Sequence, residues 1–184
     1  MEGGERAVAT ASGMAAILST CVALLKQGEH VVCSRSVFGT TTVFFEKYMA
    51  KFGVSTTFVD LTDIDQWCDA VCESTRLLFL ETPSNPWLKT VDIQVLADAT
   101  DATLVVDATA ATPILMQPLA HGADIVMHSA TKAINGHSDV LAGVLSTGKP
   151  DAQICKLCHC GSGFDQLGLH RLYQHGGGLP GGIL

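Results

Sequence analysis

Positive charge is scarce in this chain: 11 lysines and arginines stand against 18 acidic residues, for a formal net charge of −7. With no basic stripe, a nucleic acid or an anionic membrane surface is not the expected partner. A bilayer-spanning run is also missing. The longest apolar stretch, Met14 to Leu25, is broken by Ser19 and Thr20 and falls short of the ~20 residues that cross a membrane. The opening "MEGGERAVAT" lacks the basic segment and apolar core of a secretory leader. Seven cysteines make an odd set scattered through apolar segments. That pattern predicts buried free thiols in a reducing cytoplasm, not a disulfide framework.

What is present is a packed interior. Hydrophobic residues make up 47% of 184, enough for one sizeable core and too many for disorder. The pattern alternates helix and strand. Ser12 is placed to cap a helix running to about Gln27, with Gly28 as its stop. Strands are predicted at His30–Ser34, Val54–Val59, Arg76–Glu81, Thr103–Asp107, Asp124–Ser129 and Val140–Ser146. Helices are predicted at 40–52, where Phe45, Met49 and Phe52 recur at helical spacing, and at 63–73, 92–100 and 115–121. Strands apolar on both faces and separated by helices predict an α/β fold, a mostly parallel sheet with helices on both faces. Ligands of such sheets sit outside the carboxyl ends of the strands, where Ser34, Glu81, Asp107 and Ser129 fall. Residues 1–149 form the expected core domain, and 150–184, glycine-rich and aperiodic, an irregular tail.

Three features could carry chemistry. Lys132 follows a buried strand in "HSATK", with the hydroxyls of Ser129 and Thr131 beside it. A lysine after a strand is most often a solvated surface residue. Next to an anion site, however, its amine can capture an aldehyde cofactor that carries a phosphate. Asp107 ends "TLVVD", where a buried carboxylate is either a loop cap or the partner of a protonated ring nitrogen. "SGMAA" opens a helix with a glycine, and first-turn N–H groups with the helix dipole can seat a phosphate. "CKLCHC" (155–160) has no second ligand pair to complete a zinc site, so no metal is expected. His137, Ser138 and Asp139 spell a triad in sequence, but loop neighbours rarely converge. Trp67 and Trp87 are expected to pack.

"ATASGMAAI", "SRSVFGTTT", "LFLETPSNP", "LVVD.T..TP", "PLAHGADIVMHSATK" and "NGHSD" occur in this order. Together they resemble the large domain of the Cys/Met-metabolism family of fold-type-I pyridoxal-phosphate enzymes, which includes cystathionine γ-synthase, cystathionine γ-lyase, methionine γ-lyase and O-succinylhomoserine sulfhydrylase. The resemblance implies pyridoxal 5′-phosphate as cofactor, a small amino-acid substrate and a homo-oligomer. It implies Lys132 as the residue that holds the cofactor's aldehyde carbon and shuttles protons. Asp107, with Thr109 beside it, would pair with the pyridine nitrogen. Gly13 and Met14 would give backbone N–H groups to the phosphate, and Ser129 and Thr131 hydroxyls. Asn85 would lie near the phenolic oxygen, and Phe38 would stack on the ring where many relatives have a tyrosine.

The pattern departs from the family in places. Relatives are roughly twice this length, with an N-terminal arm and a C-terminal domain that carries a carboxylate-binding arginine. Nothing after Ser146 resembles that domain, and Arg171 sits in the tail. Ala108, Ala110 and Ala133 stand where relatives have larger side chains, an expectation of an enlarged or loosened pocket. The sequence therefore supports two readings: a transsulfuration or sulfhydrylation enzyme acting at Cγ of homoserine esters or cystathionine, or a truncated, inactive domain that binds the cofactor weakly or only self-associates.

Overall fold

The computed structural model describes residues 1–149. Seven strands form one sheet: β1 (Arg6–Thr10), β2 (His30–Ser34), β3 (Ser55–Val59), β4 (Thr75–Glu81), β5 (Thr103–Asp107), β6 (Ile125–His128) and β7 (Gly143–Thr147). Their spatial order is β1-β7-β6-β5-β4-β2-β3. Strands β2 to β6 run parallel, as expected. The edge pair differs: β7 is antiparallel to both β6 and β1.

Alternation along the central strands divides the core in two, because successive side chains point to opposite faces. Leu77, Phe79, Val105, Ile125 and Met127 join helix α1 (Gly13–Leu24) on one face. Leu78, Leu80, Leu104, Val106 and Val126 meet Trp67 and Leu96, from helices α3 (Ile64–Ala70) and α4 (Ile93–Asp98), on the other. Burying each such leucine contributes roughly 1.5–3 kcal/mol, so both faces need covering.

Local sequence accounts for most boundaries. Ser12 caps α1 by accepting from Ala15 N–H at 3.1 Å. The helix ends earlier than its apolar run, because Leu25 turns extended. Gly28 (φ 88°) instead serves the following turn, where its N–H reaches Gly53 O. The single helix expected at 40–52 is three short pieces: α2 (Gly39–Val43), a π turn at Phe44–Tyr48 and a 3-10 turn at Met49–Phe52. Phe45 and Met49 are buried as the spacing predicts, whereas Phe52 is exposed. Between β5 and β6, α5 (Thr112–Leu115) and a 3-10 turn at Pro118–His121 replace one helix.

Strand β1 was not expected. "RAVAT" has too short a pattern to declare itself and becomes a strand only by pairing with β7. Two other expectations are corrected. Cys21 and Cys33 are buried free thiols, but Cys68 and Cys72 are exposed. Trp67 is packed, whereas Trp87 is 77% exposed. "CKLCHC", Arg171 and the tail expected at 150–184 lie outside the described residues.

Candidate functional site

The parallel strands direct their carboxyl ends to one edge, where the strand-end residues and their loops gather. Two antiparallel reversals bring the end of β1 and the start of β7 to the same edge. Gly143 packs so closely there that a Cβ on it would lie 2.3 Å from Ser12 O. The N-terminus of α1 is thereby fastened beside the loop after β6.

Asp107 is buried at the tip of β5. Its Oδ1 accepts from Thr109 N–H at 3.0 Å and from Thr109 Oγ1 at 2.5 Å. The same Thr109 oxygen accepts from Ser129 N–H at 2.8 Å, which ties the Asp107 loop to the segment leading to Lys132. Oδ2 takes no hydrogen bond among the described residues. Burial pushes the Asp107 pKa upward, while the Thr109 bonds and nearby His128 pull it back.

Ser129 in turn meets α1. A Cβ on Gly13 would lie 2.8 Å from Ser129 Cβ and 3.0 Å from its Oγ, so only glycine fits this junction. The Gly13 and Met14 N–H groups, in the first turn of α1, have no acceptor among the described residues. Lys132 is exposed in a tight turn whose N–H bonds Ser129 O at 3.0 Å, and its ammonium forms no ion pair among the described residues. A cavity of about 530 Å³ opens beside it, lined by Thr131, Lys132, Ala133, Gly136 and the 138–141 segment. Neither Gly13 nor Asp107 lines this cavity.

Thr131 is less free than a phosphate ligand needs to be. Its hydroxyl donates to Ala142 O at 3.2 Å and accepts from Ala142 N–H at 3.0 Å, so an anion would have to compete for it. Asn85 is exposed after β4. Phe38, 55% exposed, begins α2. The sequence triad does not form: His137 Nδ1 contacts Asn135 O, and Asp139 accepts from the Asn135 amide. The three alanines do not surround one loosened pocket, since Ala108 is fully buried in the core while Ala110 and Ala133 are exposed. No cluster of three metal-binding side chains occurs among the described residues.

One residue that the sequence placed at the ligand edge was given no role there, and one buried pair escaped the sequence reading. Glu81, the register neighbour of Asp107 on β4, is buried and accepts from Phe38 N–H at 2.6 Å. Desolvation, then the charge of Asp107, raises its pKa to about 7, against the favourable Phe38 and Asn85 N–H groups. A buried pair also joins the first residues to β6, with His128 Nε2 2.5 Å from Glu2 Oε1. Glu2 Oε2 and His128 Nδ1 are left without partners among the described residues. An acidic residue closing an apolar strand was the visible signal for Glu81; nothing local marks Glu2.

A doubly covered parallel sheet with a glycine-opened helix, a buried aspartate and a lysine loop at its carboxyl edge has the architecture of a cofactor-binding α/β enzyme domain. The family model for Cys/Met-metabolism PLP-dependent enzymes matches residues 1–165, and the chain belongs to that family. It is 46% identical over 153 residues to L-methionine gamma-lyase of Fusobacterium nucleatum, covering 81% of this chain and 39% of that protein. It is 48% identical over 149 residues to O-succinylhomoserine sulfhydrylase of Pseudomonas aeruginosa, covering 79% and 37%. The crystal structure of metB from Corynebacterium glutamicum superposes with a TM-score of 0.82 at 37% identity, covering 87% of this chain and 43% of that one. The chain thus spans about two fifths of the length of these relatives.

Proposed function

We propose that residues 1–149 form the cofactor-binding core of a pyridoxal-phosphate-dependent sulfur amino-acid enzyme, performing elimination or replacement at Cγ of homoserine esters, cystathionine or a related amino acid. The observation that carries this reading is the hydrogen-bond chain Asp107–Thr109–Ser129. It links a buried carboxylate to the lysine loop and, through the glycine contact, to the start of α1.

The residues fit the group. The unpaired Asp107 Oδ2 suits a protonated ring nitrogen, whose charge would offset the desolvation that raises its pKa. Gly13 and Met14 bring two unused N–H groups and the positive end of a 12-residue helix to a phosphate. The Ser129 hydroxyl adjoins them. Phe38 would cover the ring and Asn85 flank the phenolic oxygen. The bound cofactor supplies an electron sink that makes the substrate's Cα proton acidic. Lys132 would hold the cofactor's aldehyde carbon, and its Nζ would be the group that takes and returns protons at the substrate. Thr109 keeps Asp107 oriented throughout. Phenylalanine at 38 offers a face but no proton, so acid–base work falls to Lys132.

Self-association belongs to the same reading. Trp87, Leu88, Ile114, Leu115 and Leu141 are each at least two-thirds exposed, in α5 and in segments after β4 and before β7, apolar surface that a second copy could cover. A cytoplasmic location also belongs to it. No helix among the described residues is long and apolar enough to cross a membrane.

The test is the visible absorbance of the purified chain with added pyridoxal phosphate, before and after borohydride, with Lys132→Ala alongside. The expected result is a lysine-bound band that borohydride fixes to the Lys132 peptide, absent in the variant. Identical free-cofactor spectra from both proteins would refute the reading and leave a domain that only packs.

A further inference from the structure

The carboxyl group of Glu81 has no role in the scheme above, yet it lies next to Asp107 at the carboxyl edge of the sheet. It ends β4, the strand between β2 and β5, in register with Asp107. Burying a carboxyl group beside another carboxylate is costly, and no lysine or arginine pairs with it among the described residues. Its interactions are with backbone. Oε2 accepts from Phe38 N–H at 2.6 Å, and the Asn85 N–H, outside good hydrogen-bond geometry, still favours its charge.

Phe38 needs such an anchor. It is the N-cap residue of α2, where its carbonyl accepts from Thr41 and Thr42 N–H. No side chain caps this short helix, and the ring is more than half exposed, so little packing restrains it. α2 runs on into the π and 3-10 turns that follow it, but its first turn has no capping side chain to fix where it begins. The bond from Glu81 ties the start of α2 to the end of β4, beside the core packing of Val37 and Thr41.

We propose that Glu81 is a positioning residue: its carboxyl group fixes the Phe38 backbone and so the position from which the Phe38 ring would cover an aromatic cofactor. The proposal rests on the pyridoxal-phosphate reading for the identity of that cofactor. The anchor itself does not depend on it.

Two arms test it in the full chain. The first is amide hydrogen exchange without cofactor. The Phe38 amide should exchange more slowly than its neighbours Val37 and Gly39 in wild type and in Glu81→Gln, whose amide oxygen can still accept. In Glu81→Leu it should lose that protection while the β4 amides keep theirs. The second arm is pyridoxal phosphate affinity in a double-mutant cycle with Phe38→Ala. Glu81→Leu should weaken binding roughly three- to tenfold, the worth of one aromatic contact, and should have no further effect once Phe38 is alanine. Glu81→Gln should stay within about twofold of wild type on the same scale. A Phe38 amide that exchanges as fast as its neighbours in wild type would overturn the anchor, even if Glu81→Leu does not fold. Equal losses from Glu81→Leu in both backgrounds would reduce Glu81 to a general structural role. A wild-type chain that binds no pyridoxal phosphate overturns the functional reading instead, and the exchange arm still decides the anchor.

Discussion

Thr109→Val isolates the link between the buried aspartate and the lysine loop. The replacement keeps the side chain's shape and removes one oxygen, which now donates to Asp107 Oδ1 at 2.5 Å and accepts from Ser129 N–H at 2.8 Å. Losing a hydrogen bond to a carboxylate costs about 1.5–3 kcal/mol, and stranding a buried N–H about 1–3 kcal/mol. Ser129 is only half-buried, so water can recover part of the second term. A loss of about 2–4 kcal/mol is expected, a large share of an ordinary domain's stability of about 5–15 kcal/mol. Thr109→Ser, which keeps the hydroxyl, should cost only about the ~0.8 kcal/mol of a buried methyl. Urea unfolding measures all three proteins. A Thr109→Val chain within about 0.5 kcal/mol of wild type, the range of an uninvolved surface change, would refute the reasoning.

Gly13→Ala should destabilise by about 1–3 kcal/mol through overpacking against Ser129 and weaken pyridoxal phosphate binding, measured by urea unfolding and cofactor titration. Glu81 has a folded pKa raised from 4.5 to about 7. Folding therefore favours its protonated form, a contribution present below pH 4.5 and lost as pH rises through 7. Asp107, its register neighbour, is the charged group that acts on it, and His128 acts in turn on Asp107. Glu81→Gln should flatten this decline between pH 5 and 8 in urea unfolding, and an unchanged slope would refute the assignment. Iodoacetamide should label Cys72, whose Ser74 and Thr75 contacts lower its pKa, but spare Cys21, pushed up to about 12 by burial. Peptide mass mapping of the native chain reads the difference.

Much of this fold was legible in short runs of residues. His30–Ser34 and Thr103–Asp107 are strands at their expected boundaries, because continuous apolar β-branched runs have few other uses. Ser12, Asp63 and Asp92 cap the helices they precede, since capping is a contact over three residues. The stretch 40–52 was less legible. Its apolar spacing is helical, but tertiary packing of Phe44, Phe45 and Met49 draws the backbone into π and 3-10 turns. β1 was invisible because its partner lies more than 130 residues away.

The same division runs through the site. Residue types and order sufficed to single out Lys132, Asp107, Gly13 and Ser129, because each stands at a strand end or helix start whose geometry is local. Tertiary structure alone decided how they meet. Thr109 became a bridge, Thr131 was committed to Ala142, and Gly13 came to lie against Ser129. Glu81 came to lie beside Asp107 and to accept from the Phe38 N–H. Sequence records chemistry and short-range pattern, whereas which strand ends become neighbours is set by the order of strands in the sheet.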